Sequence, residues 1–172
     1  MTLWCVKIAA MLTLGIDPGT ATTGFGIVRQ DGDKLLHVEC GCIKTSPKDN
    51  PQSRLSQIYR QVKGLISRYR PDSVAVERLF FGRNITTAMA VGQARGIILL
   101  AVAEQKLPLS EYTPLEVKMA LTGYGRADKR QIQMMVKTLL KLPQIPKPDD
   151  AADALAIAIC HLHSYRLKEG GA

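Results

Sequence analysis

LTLGIDPGTATTGFGIVRQ, residues 12–30, is two apolar runs around a turn. Leu12 to Ile16 reads as a short strand stopped by Asp17-Pro18-Gly19, TATTG supplies a small-residue turn, and FGIVRQ resumes as an extended segment. DGDK at 31–34 is a further turn signal, and LLHVECGCIKT at 35–45 is a third strand, so the chain begins as an antiparallel meander. From Pro51 the period changes. Leu55, Ile58, Tyr59, Val62, Leu65, Ile66 and Tyr69 recur at intervals of three and four, which predicts an amphipathic helix ending near Pro71. A valine-rich strand follows from Ser73 to Val76, then a helix from about Ile85 to Gln105 and a strand from Leu109 to Tyr112. Thr113-Pro114 opens another helix. GYGRADKRQ leads into one that carries Ile132, Met135, Val136, Leu139 and Leu140 on one side, and PQIPKP at 143–148 delivers the chain to a last helix. This order predicts an α/β protein with a mixed sheet and helices packed on it.

Composition agrees with one domain. The 172 residues are 46% hydrophobic, and Lys and Arg outnumber Asp and Glu by 23 to 15, for a net charge of +8 that suggests an anionic partner such as nucleic acid. The apolar run Ile97–Ala103 is too short to span a bilayer, and a cytoplasmic location is expected. The four cysteines, at 5, 40, 42 and 160, form no zinc-type C-x-x-C pair and are expected to be free thiols. His161 and His163, two apart on a helix, diverge and do not suggest a shared metal.

The acids draw the argument toward function. Asp17 and Glu77 each directly follow an apolar strand, the position that lines the functional crevice of such sheets. The last helix opens PDDAAD, with Asp149, Asp150 and Asp153. Acidic residues cap helix starts, which accounts for one of them, whereas Asp150 and Asp153 lie three apart on one face. A meander followed by a crossover helix sets the first and fourth strands side by side, so four carboxylates converge if the last helix lies against them. Such a pocket calls for a divalent cation.

LGIDPGTATTGFGIV, AVERLFF, GQARG, EVKMALTGYGRADK and PDDAADALAIAICHLH, in this order from about Met11 to Tyr165, resemble the RuvC family of bacterial Holliday-junction resolvases. The resemblance implies a ribonuclease H-like fold with a mixed five-stranded sheet flanked by helices. It also implies a homodimer that cuts four-way DNA junctions by paired symmetric nicks, and cooperation with the branch-migration proteins RuvA and RuvB. The catalytic and metal-binding acids fall on Asp17, Glu77, Asp150 and Asp153, leaving Asp149 outside the set. Two Mg2+ ions roughly 4 Å apart are implied, with Mn2+ able to substitute. Asp17 would bridge them, Glu77 and Asp153 would complete the ligand sets, and Asp150 would support the second site.

The resemblance further assigns Phe80 to stacking on a junction base, and Lys118 and Lys129 to phosphates, with Arg126 adding to the basic start of the Lys129 helix. Core or dimer packing is the other reading of Phe80, and solvation that of Lys129. Gly92 and Gly96 suit close helix packing, which places the expected dimer contact on their helix. GIDPGTATTGFG also resembles the phosphate loop of actin-like ATPases, but those proteins need a second lobe for which this chain has no room. The expected layout is a nuclease domain over 11–167, an N-terminal extension over 1–10 and a tail over 168–172.

Overall fold

A computed structural model describes residues 10–78 and 85–169, of which 85–87 and 166–169 are described by backbone alone. Five strands, β1 (Met11–Asp17), β2 (Thr22–Asp31), β3 (Lys34–Lys44), β4 (Ser73–Glu77) and β5 (Leu109–Tyr112), form one sheet in the order β3-β2-β1-β4-β5. The first three pair antiparallel, and β4 and β5 join parallel to β1 and to each other. The expected mixed sheet is thus present, with β1 beside β4. β2 starts at Thr22, three residues before the Phe25 expected from sequence. Thr22 and Thr23 are β-branched and pair with Lys44 and Ile43, so the turn is shorter than its small residues suggested.

Strand alternation separates two faces. On one, Leu14, Ile16, Ile27, Val74 and Val76 pack against α1 (Pro51–Tyr69) and α2 (Ile85–Glu104). On the other, Val28 and Ala75 pack against α3 (Pro114–Thr122), α4 (Lys129–Leu139) and α5 (Asp149–Glu169). α5 is the central element of the second layer, and its Leu155, Ile159 and Leu162 are wholly buried. Burial of each contributes about 1.5–3 kcal/mol.

The approach of α5 to the sheet is backbone on backbone. A Cβ on Gly24 would lie 2.0 Å from the Asp150 carbonyl oxygen, and one on Gly15 would lie 2.2 Å from that of Ala154. Glycine is the residue that lets a helix come this close.

The helix starts are fixed locally. Asn50 caps α1 with Pro51 at its first position, while capping boxes of Thr113 with Glu116 and Asp128 with Gln131 open α3 and α4. No helix among the described residues is long and apolar enough to cross a membrane.

Candidate metal and nucleic-acid site

Asp17 and Glu77 end adjacent strands on the face that carries α5. Because Thr13 pairs with Ser73 and Ile16 with Val76, the two acids follow in the same parallel register. The lower part of this face is tied by a 3.0 Å hydrogen bond between the Thr13 and Ser73 hydroxyls. Gly24 is the ladder partner of Asp17, and its missing side chain admits the first turn of α5, bringing Asp150 and Asp153 to the strand ends.

Electrostatics record the convergence. Burial, then the charges of Glu77, Asp153 and Asp150, and a hydrogen bond with Glu77 push the Asp17 carboxyl up to about 8. Glu77 is raised by burial and by Asp153, against the hydrogen bond from Asp17. Asp153 is raised chiefly by burial, against the opposing pull of Lys129. Burial and the neighbouring acids thus disfavour the charged form of Asp17, and the group lacks positive charge at its centre.

Lys129 supplies part of that charge from the side. Its ammonium lies 3.1 Å from Asp153 and 3.4 Å from Asp149. The Asp128 cap starts α4 at Lys129 and so directs this side chain toward the opening of α5. Asp149, left outside the quartet by sequence, is thus a partner of Lys129. The expectation that Lys129 holds phosphate meets a lysine already engaged by two carboxylates, although its side chain remains 55% exposed.

Asp150 and Asp153 serve opposite flanks. Asp153 shares with Glu77, Lys118 and Lys129 a cleft of about 210 Å3. Asp150 opens instead onto a groove of about 550 Å3 beside Gly19–Thr22. Asp17 stands between them, within reach of both charges. The two aspartates expected from their spacing to point at one spot both act on Asp17, and Asp150 acts on Asp153, while each lines a different cavity.

All four candidate acids present hard oxygen donors, and the raised Asp17 marks a cluster short of cationic charge, so the residues fit a divalent cation such as Mg2+. As they stand, no three His, Cys, Asp or Glu side chains among the described residues are drawn together tightly enough to ligate one ion. Asp17 and Glu77 share a hydrogen bond, and Asp153 is paired with Lys129.

Of the other candidates, Lys118 lines the Asp153 cleft, Arg126 is exposed, and Phe80 lies outside the described residues. Cys40, Cys42 and Cys160 are free. His161 and His163 have separate partners, the Tyr112 hydroxyl and the Ala120 carbonyl, as their divergence predicted. Sequence reading overlooked Gly15 and Gly24 as docking points. Their signal was glycine repeated on one face of strands otherwise rich in branched residues.

A family model described as "Crossover junction endodeoxyribonuclease RuvC" matches residues 13–161. The crossover junction endodeoxyribonuclease RuvC of Pelotomaculum thermopropionicum is 56% identical over 155 residues, 90% of this chain and 94% of that protein. Its counterpart from Desulfitobacterium hafniense is 56% identical over 164 residues, 94% and 99% of the two chains. Thermus thermophilus RuvC in complex with Holliday junction substrate superposes with a TM-score of 0.88 at 38% identity, covering 92% of this chain and 96% of that one. The five-stranded sheet and its flanking helices are accordingly ribonuclease H-like. By sequence and by fold alike, this chain belongs to the RuvC family of crossover junction endodeoxyribonucleases.

Proposed function

We propose that this protein resolves Holliday junctions in DNA recombination and repair, cutting two strands of a four-way junction by symmetric nicks. The observation that carries the reading is the meeting of Asp17 and Glu77 from neighbouring strands with Asp150 and Asp153 from α5, beside Lys118 and Lys129. Asp17, at the centre, would help to hold two Mg2+ ions. Glu77 and Asp153 would hold one flank and Asp150 the other, with Mn2+ able to replace Mg2+. When bound, such an ion pair supplies a water nucleophile at neutral pH and positive charge for the departing 3′ oxygen.

The chain's own residues do the rest. Buried carboxylates resist wet, loose ligation and fix where the scissile phosphate sits. Lys118, in the Asp153 cleft, neutralises a phosphate there, and Lys129 exchanges its carboxylate partners for phosphate as the strand enters. Arg126 adds positive charge at the α4 entrance, and Phe80 stacks on a base at the branch point.

Two copies of the active site are needed for paired nicks. We place the dimer contact on α2, where Met89 (63% exposed), Gln93, Gly96 and Leu100 (49% exposed) follow one another at intervals of four, three and four along one stripe. The working unit is residues 11–167 as one nuclease domain, with 1–10 and 168–172 outside it, acting in the cytoplasm with RuvA and RuvB.

Incubation of the purified protein with four-way DNA, linear duplex or structured RNA in Mg2+ tests this reading. Symmetric nicking confined to the four-way junction is expected; equal cutting of all three overturns it.

A further inference from the structure

The groove on the Asp150 side has no occupant in the scheme above. It is lined by Gly19 to Thr22 from the β1–β2 turn, by Asp150, and by Arg54 from the first turns of α1. Among the described residues, Arg54 is the only cation in that lining. It is also held in a defined pose. Its Nε donates to Thr45 Oγ1 at 2.8 Å, the Thr45 hydroxyl donates to the Thr20 carbonyl at 2.6 Å, and the Thr45 N–H donates to the Ala21 carbonyl at 3.1 Å.

This chain of bonds ties the guanidinium to the turn that follows Asp17, yet it uses only the inner nitrogen. Arg54 takes part in none of the ion pairs among the described residues, which join Lys63, Arg78, Arg95 and Lys129 to their acids. Asp150, on the same groove, is not within ion-pair distance of it. The two outer amino groups therefore keep their donors for a ligand, and a fixed planar fork of this kind matches the oxygens of a phosphate. Lys44 lies opposite Thr22 in the β2–β3 ladder and adds positive charge to the same flank.

Basic side chains thus stand on two sides of the acids: Lys118 and Lys129 in the Asp153 cleft, and Arg54 in the Asp150 groove, with Lys44 the ladder partner of its Thr22. A strand whose scissile phosphate lies over Asp17 has further phosphates running off in both directions. We propose that Arg54 is a positioning residue for the reaction: its free guanidinium edge holds a phosphate of the cut strand next to the scissile one, on the flank away from Lys118, and so fixes which phosphodiester lies over Asp17. This rests on the junction-cutting reading given above.

The test uses synthetic junctions in which one neutral methylphosphonate replaces, in turn, each phosphate within two positions of the cut. Wild type and Arg54→Ala are compared in Mg2+, and product lengths are read at nucleotide resolution. At one position, neutralisation slows wild type about tenfold, the usual scale for losing a charged hydrogen bond, and leaves Arg54→Ala nearly unchanged. Arg54→Ala also spreads cutting over neighbouring phosphodiesters, and Thr45→Val, which keeps the charge but frees the side chain, spreads it less.

A purely structural Arg54 would slow cutting on every substrate equally and leave the cut position fixed, and that result overturns the proposal. So does a wild type indifferent to neutralisation at every flanking position, an arm that does not depend on any variant folding. A wild type that leaves the unmodified junction intact sinks the function itself along with this inference, whereas normal cutting without the coupling removes Arg54 alone.

Discussion

The Lys129 ammonium lies 3.1 Å from the Asp153 carboxylate and reaches Asp149 as well, so the acidic cluster carries its own partial counter-charge. A cation entering the site competes with that lysine. Lys129→Met is expected to bind Mg2+ at least as tightly as wild type in calorimetry, yet to cut junctions about tenfold more slowly for want of a phosphate contact. Weaker metal binding in the variant would show that Lys129 orders the acids and does not compete for them.

Asp17→Asn removes the carboxylate nearest the middle of the cluster while keeping its shape. Nicking of a four-way junction in Mg2+ should disappear, and gel-shift binding to the same junction in Mg2+-free buffer should persist. Normal cutting by the variant removes Asp17 from the chemistry.

The raised Asp17 also sets a pH dependence. Its carboxyl moves from 3.8 to about 8 on folding, so between those values the folded chain holds a proton that the unfolded chain has lost. Raising pH then opposes folding: the contribution is complete below 3.8 and gone above about 8. Without metal, the melting temperature should fall by about 5 °C between pH 5.5 and 8.5. Added Mg2+ should restore more stability at the higher pH, and Asp17→Asn should flatten the metal-free profile. A metal-free Tm that climbs across this range contradicts the crowding of charge around Asp17.

Gly24→Ala tests the seating of α5. The new methyl group meets the Asp150 carbonyl, and the helix start must move or the strand must bend. A loss of ~1–3 kcal/mol is expected from denaturant unfolding, as for other overpacked sites. Cutting should suffer more than junction binding, because Asp150 and Asp153 ride on the displaced turn. Unchanged stability and rate would mean that α5 adjusts freely.

Leu100→Glu addresses the α2 stripe. Leu100 is half exposed and Gly96 beside it has open space around its Cα, so the fold of one chain tolerates a change there. Light scattering should report a monomer with unaltered circular dichroism, and paired nicking should give way to single nicks. A variant that stays dimeric moves the contact elsewhere.

Much of this was legible in advance because local signals and global fold agree. Thr113-Pro114 opens a helix through a capping box, the three-and-four spacing from Leu55 to Tyr69 becomes α1, and the Pro71 stop falls just after its left-handed cap at Arg70. Asp17 and Glu77 were visible because a carboxylate directly after an apolar strand is a local feature. That Asp150 and Asp153 line different cavities was not legible. It depends on the angle at which α5 crosses β1 and β2, set by glycines more than a hundred residues away in the chain. Arg54 was hidden for the same reason, since Thr45 and the β1–β2 turn, not its own helix, decide where it points.

The separation of the acids along the chain, at 17, 77, 150 and 153, has one more effect. α5 leaves the ribosome after every strand it covers, and until it docks, Asp17 and Glu77 face water with nothing to complete them. A chain made only as far as β5 therefore already carries most of its basic residues but lacks Asp150 and Asp153. The four acids can come together only once the strands and α5 have both been made and have packed on each other.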